Sequence, residues 1–316
     1  MLAAVVASLG QPPLYQQFTE PNPGPDEVLI QVHATGLHPI VRALAAGSHY
    51  SSKTEVPFVA GIDAVGTRPD GRRVYCGGAR RPWGTMAERC AVPVSMCLPL
   101  PDGIDDVQAA AIANPGMSAW LSLKDRAAVK AGDTVLVLGA TGVAGQLALQ
   151  AAKLLGASRI IAAGRNVDAL AKADVDRIVS LAEPEGAVRE AFTEEASRGI
   201  DVVIDYLWGR PTELLLDALA KSFKASGTHS TRLVEVGESA GKTISLPGAT
   251  LRSVDLQILG SGFGSVSLQG VLAAIPNLFA MAAKGALKID VDSVPLAEVE
   301  SAWSRVEKGR RIVFTI

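Results

Sequence analysis

The chain has 316 residues, of which 48% are hydrophobic and 20% charged, with 30 Lys and Arg against 32 Asp and Glu. That length allows one large or two ordinary domains around a sizeable core. A formal net charge of −2 leaves no basic footprint for nucleic acid or an anionic membrane, and no apolar run reaches the roughly 18 residues of a membrane span.

Residues 1–9 are apolar, but they carry no basic leader and stop at Gly10, Gln11, Pro12 and Pro13, so an opening β-strand is expected rather than a signal peptide. The cytoplasm is the default location. From Met1 to Pro101 the strand signals are short: residues 27–34, 72–76 and 86–92 alternate between stretches rich in Pro, Gly, Asn and Asp. A compact β-rich domain, a barrel, is expected here. Cys76, Cys90 and Cys97 contain no CxxC pair and are expected to be reduced, mostly buried thiols.

The composition changes near Asp102. Residues 105–112 read as a capped, alanine-rich helix start, and 118–123 as a second helix after Pro115 and Gly116. Next, residues 134–138 lead as a strand into Gly139, Ala140, Thr141, Gly142, Val143, Ala144 and Gly145, after which Val143, Leu147, Ala151 and Leu154 recur at helical spacing. Strand, glycine turn and helix together are the pattern of a dinucleotide cradle. One glycine turns the chain, one admits the pyrophosphate and one lets the helix approach the strand. The helix start then offers amides and a partial positive charge.

Residues 159–163, 201–205, 233–236 and 256–259 read as further strands, separated by helical segments such as 212–222. Strands alternating with helices predict an α/β doubly wound parallel sheet, with ligand at the strands' carboxyl ends. The tail reads as helix 272–283, strand 290–294, helix 296–308 and strand 312–316, short elements suited to a return to the first domain.

An NAD site usually places an acid at the end of the second strand. Here Ala163 is followed by Gly164, Arg165 and Asn166. Arginine suits the 2′-phosphate of NADPH, with Asn166 as a neutral donor. Lys172 is a further candidate, or one residue of a solvated helix face.

The stretches PDEVLI at 25–30, GIDAVG at 61–66, GTMAE at 84–88, LPDGI at 100–104, AGDTV at 131–135, DVVID at 201–205 and GSG at 260–262 run nearly end to end. In order and spacing the chain resembles the zinc-independent medium-chain dehydrogenase/reductase superfamily, of the quinone oxidoreductase or enone reductase kind. The resemblance implies a GroES-like catalytic domain from residues 1–117 and 266–316 around a Rossmann domain at 118–265. Zinc-using relatives carry a cysteine after the early strand, a Gly-His-Glu signature and a later cysteine. This chain has His38, Gly61–Ile62–Asp63 and Ala113–Asn114–Pro115 in those places. With the metal ligands missing, no metal is expected. His38 and Asp63 remain as an atypical donor pair.

The implied activity is hydride transfer from NADPH to a small-molecule quinone or to the C=C bond of an α,β-unsaturated carbonyl. The alternatives are a non-catalytic NADPH-binding redox sensor or structural protein, and an alcohol dehydrogenase with an atypical metal site. His38 resembles the family's cofactor-facing asparagine. The family's tyrosine near the substrate has its counterpart in His49 or Tyr50, either able to donate to a developing enolate. Gly237, Ser261, Gly262 and Phe263 follow late strands where backbone groups can hold a carboxamide. Tyr206 and Trp208 line the cofactor trough or pack. The pocket walls are expected around residues 48–56, 80–83 and 263–266. The family also implies a homodimer joined along residues 256–262.

Overall fold

Within residues 27–36, buried Ile30, Val32 and Ala34 alternate with the more open Gln31 and His33, the period-two pattern of a strand with one packed face. In the computed structural model, which describes residues 1–226, 229–262, 264–306 and 309–316, this pattern is part of one of eight early strands. They are β1 (Leu2–Val6), β2 (Leu14–Gln17), β3 (Glu27–Gly36), β4 (Phe58–Val59), β5 (Asp63–Thr67), β6 (Arg73–Gly77), β7 (Arg89–Pro93) and β8 (Cys97–Pro99). β1 lies antiparallel between β2 and β4, while β3 pairs antiparallel with both β5 and β7. The result is a three-stranded and a seven-stranded sheet rather than one closed barrel. Cys76 and Cys90 are buried free thiols, and Cys97 is half-buried.

Helix α1 (Pro39–Ala45) has proline in its first turn, where no amide partner is lost. Helix α2 (Asp106–Leu121) starts at Asp105, whose carboxylate accepts from the Gln108 amide at 2.7 Å. It corrects the two-helix expectation, because Pro115 lies inside one continuous helix. Pro115 is buried among Ala111, Ala113 and Gly116, and packing of that small-residue segment outweighs the lost backbone hydrogen bond.

Next in the chain come β9 (Thr134–Leu138), α3 (Val143–Leu154), β10 (Arg159–Gly164), α4 (Val167–Ala171), β11 (Arg177–Ser180) and α5 (Glu185–Arg198). They are followed by β12 (Val202–Asp205), α6 (Gly209–Ser226), β13 (Ser230–Glu235), α7 (Gly248–Ser253) and β14 (Asp255–Gly260). The six strands are all parallel, in the order β11-β10-β9-β12-β13-β14. That order is doubly wound, with its switch point at β9 and β12. Val135 to Leu138 and Val202 to Asp205 are buried throughout, as central parallel strands require. Against them pack Phe192, Leu215 and Leu219 from α5 and α6, each contributing about 1.5–3 kcal/mol by burial. Leu154, expected on the apolar stripe of α3, is instead 45% exposed at its end.

The last elements are α8 (Leu268–Ala283), β15 (Asp290–Pro295), a short α9 (Val299–Ala302) and β16 (Arg310–Thr315). β16 pairs parallel with β15 and antiparallel with β3. Contacts divide the chain into one unit of Met1–Pro115 with Leu272–Ile316 and another of Gly116–Val271. The expected helix over 296–308 is corrected to a 3-10 turn and α9, and its last two residues lie outside the described ones. Arg42 accounts for the early stop, donating from Nε to the Trp303 carbonyl and from Nη2 to that of Arg305, both at 3.0 Å. Among the described residues no helix is long and apolar enough to cross a membrane.

Candidate active site

Gly139 leaves β9 with φ +84, a left-handed conformation that disfavours any side chain. Its amide and that of Ala140 both donate to the Ala163 carbonyl, at 2.9 and 3.0 Å, which ties the turn to the end of β10. Gly145 packs so closely that a Cβ there would run into the Gly139 carbonyl and lie 2.8 Å from the Ala140 Cα. Gly142 is the N-cap of α3 and brings no side-chain cap. The first-turn amides, including Val143 and Ala144, therefore have no partner within the helix, which makes this end a ready acceptor of phosphate.

Gly164 ends β10 under Thr141, where a Cβ would lie 3.0 Å from the threonine methyl. Arg165 follows it, exposed and, among the described residues, unpaired. Asn166 is the N-cap of α4, its Oδ1 accepting from the Ala169 amide at 3.1 Å. This refines the neutral-donor expectation, because the oxygen is committed to the helix and only the Nδ2 amide remains to donate. Lys172 is exposed at the far end of α4.

Across the switch point, Asp205 is buried at the end of β12. It accepts from the Leu207 and Trp208 amides at 2.8 and 2.9 Å and from the Thr212 hydroxyl at 2.5 Å. Burial pushes its carboxyl up despite these donors. Trp208 packs against the core of this unit. The backbone of Tyr206 passes between Gly139 and Gly237, while its hydroxyl is buried with no hydrogen-bond partner among the described residues. Gly237 donates to the Asp205 carbonyl at 3.2 Å. The Ser261 amide donates to the Glu235 carbonyl at 2.8 Å, and its hydroxyl lies 2.9 Å from that of Ser122. The Gly262 amide is taken by Ser265 Oγ. Phe263 lies outside the described residues.

In the other unit, His38 is fully buried. Its Nε2 lies 3.1 Å from Asp63 Oδ1, and Asp63 Oδ2 accepts from the Tyr75 hydroxyl at 2.8 Å. The Asp63 carbonyl accepts from Thr35 and Thr85 at 2.8 and 2.7 Å, fixing the strand that presents the carboxylate. Gly36 makes room for the imidazole, since a Cβ there would lie 2.5 Å from the ring. His38 Nδ1 is buried without a partner. Burial, and then Asp63, hold the Tyr75 phenol well above its ordinary pKa, so it stays protonated and donates.

His49 and Tyr50 form a separate pair. Their rings stack at 4.0 Å, His49 Nδ1 lies 2.7 Å from Ser51 Oγ, and Tyr50 is 78% exposed. No hydrogen bond or ring contact among the described residues joins this pair to His38. Tyr75 was missed by sequence reading and Asp63 was weighed only as a metal donor. The usable signal was a carboxylate opening the otherwise apolar strand Asp63–Thr67.

A tetrahedral zinc site needs three protein ligands. His38 offers one nitrogen that has no partner among the described residues. No group of three or more His, Cys, Asp or Glu among the described residues is arranged to hold a metal.

Residues 155–312 match the model of a family described as zinc-binding dehydrogenase. The chain is 28% identical to a probable NADPH-dependent quinone reductase of Emericella nidulans, over 99% of each protein. It is also 28% identical to a quinone oxidoreductase of Homo sapiens, over 76% of each. Among solved structures it is similar to the Thermus thermophilus quinone oxidoreductase, solved also in complex with NADPH, with a TM-score of 0.81, 30% identity and full coverage of both chains.

Proposed function

The chain belongs to the zinc-binding dehydrogenase family, as a quinone oxidoreductase-like member of the medium-chain dehydrogenase/reductase superfamily. From that premise we propose that it uses NADPH to reduce a quinone, or the C=C bond of an α,β-unsaturated carbonyl, without a metal. The observation that carries the reading is the junction of β9, α3 and β10, where a tight glycine turn, uncapped helix amides and an unpaired exposed arginine meet. The NADPH complex of the Thermus thermophilus relative supports the choice of cofactor.

When bound, NADPH supplies a hydride. The first-turn amides of α3 hold its pyrophosphate, and Arg165 pairs with its 2′-phosphate. Gly164 brings the chain off β10 beside Thr141, and the Nδ2 amide of Asn166 is the neutral donor at that end. With their amides already committed, Gly237, Ser261 and Gly262 offer backbone carbonyls on the nicotinamide side. A quinone or enone that accepts hydride places negative charge on a distant oxygen, and modest donors suffice to stabilise it. His49 and Tyr50 are the candidate proton donors to that oxygen. His38, whose Nε2 is held by Asp63, presents Nδ1 as an acceptor and suits the cofactor-facing role. The missing zinc ligands support a metal-free route.

A homodimer joined along β14 belongs to the same reading. β14 is the last strand of its sheet, and Asp255, Gln257 and Gly260 on it are exposed. NADPH oxidation by a para-quinone and by a small enone tests the proposal. Turnover with either class supports it, and the faster class names the substrate. Cofactor binding with no turnover across both classes overturns it in favour of a non-catalytic binder.

A further inference from the structure

Tyr206 is the first residue beyond β12, at the switch point of the parallel sheet. A Cβ on Gly139 would lie 3.2 Å from the Tyr206 Cβ, and one on Gly237 would lie 3.4 Å from the Tyr206 carbonyl. Both neighbours are glycines, so the tyrosine is held beside the nucleotide turn with little side-chain material on either flank. Its backbone is anchored as well: the amide donates to the Leu138 carbonyl at 3.1 Å, and the carbonyl accepts from Ser239 Oγ at 2.8 Å. The hydroxyl is the exception, being buried and, among the described residues, without a partner.

An unsatisfied buried hydroxyl is costly, so it marks a place where a partner is missing. Burial holds the phenol well above its ordinary pKa, and it therefore stays protonated as a donor. An acceptor oxygen is the fitting partner. The strand order says which part of a dinucleotide brings one. β10, with Arg165 at its end, flanks β9 on one side, and β12, with Tyr206 at its end, flanks it on the other. With the adenosine 2′-phosphate on the β10 side and the pyrophosphate at α3, the β12 side takes the nicotinamide half.

We propose that the Tyr206 hydroxyl is a positioning donor for the nicotinamide half of the bound dinucleotide, hydrogen-bonded to one of its oxygens. This rests on the NADPH reading above. It also makes the apo protein and the complex respond in opposite directions to one change. Tyr206→Phe removes an unsatisfied polar atom from the apo protein but a hydrogen bond from the complex.

The experiment combines thermal unfolding of the apo protein with equilibrium binding of NADPH and of adenosine 2′,5′-bisphosphate, which lacks the nicotinamide half. For Tyr206→Phe the expected result is an apo midpoint equal or higher by roughly 2 °C and NADPH binding weaker by about fivefold. Affinity for the bisphosphate should stay unchanged. Unchanged NADPH affinity overturns the proposal, as does equal weakening for both ligands, which would place the contact on the adenosine half. A lower apo midpoint with unchanged NADPH affinity would show that the hydroxyl serves the fold alone. Failure of the unsubstituted protein to bind NADPH or the bisphosphate overturns the cofactor reading itself, a result distinct from the others.

Discussion

His38 and Asp63 form a buried pair, with Nε2 3.1 Å from Oδ1, and Tyr75 closes the other side of the carboxylate at 2.8 Å. Asp63→Ala leaves both partners buried and unsatisfied. A loss of about 3 kcal/mol in urea-unfolding stability is expected, with a smaller loss for Asp63→Asn, which keeps the volume and one acceptor. Equal stability of Asp63→Ala and the parent protein would contradict a structural coupling among these three residues.

Gly145→Val tests the nucleotide turn. The added side chain meets the Gly139 carbonyl and the Ala140 Cα, which are backbone atoms that cannot swing away. α3 must move off the end of β9, and NADPH affinity should fall at least tenfold while the other unit keeps its fold. Calorimetric binding titrations measure this directly, and an unaltered affinity would mean that the turn is not the cradle.

Arg165→Ala addresses cofactor choice. Loss of a charge-assisted contact to the 2′-phosphate should lower kcat/KM with NADPH by roughly tenfold to a hundredfold. The value with NADH should change little, since NADH has no phosphate at that position. A parallel drop for both cofactors would point to a general folding defect instead.

Asp106 predicts a pH dependence of stability. Burial pushes its carboxyl up, but hydrogen bonds from Arg73 and His33 outweigh that and hold it below the ordinary aspartate value. A carboxylate depressed in the folded state stabilises above its unfolded pKa and loses that contribution as pH falls through the folded one. Because the group is partly exposed, the contribution is about 1 kcal/mol. Asp106→Asn should therefore destabilise at neutral pH, and the difference should shrink as the pH falls below the ordinary aspartate range. A difference that stays constant through that acid range would assign the effect to packing.

The parallel sheet was legible because its strands are buried on both faces, so continuous apolar runs such as residues 135–138 can be read without tertiary information. The glycine turn was legible for a related reason: the left-handed backbone at Gly139 and the backbone crowding at Gly145 disfavour any side chain. Where distant contacts decide local structure, the sequence was less informative. α2 runs through Pro115 because its small residues pack, and the chain leaves α9 where Arg42, far away in the sequence, takes the carbonyls of Trp303 and Arg305 just beyond it. The same limit applied to the candidate site. His38, Asp63 and Tyr75 come from three separate segments, and only the folding of β5 against β6 brings the carboxylate and the phenol together. His49 and Tyr50, adjacent in sequence, pair their rings with each other, and no hydrogen bond or ring contact among the described residues joins them to His38.

The central claim is metal-free hydride transfer from NADPH, and the most direct test is the rate of NADPH oxidation by a para-quinone before and after exhaustive treatment with a chelator. The expected result is turnover that survives chelation and gains nothing from added zinc. Turnover abolished by the chelator and restored by zinc would contradict the account.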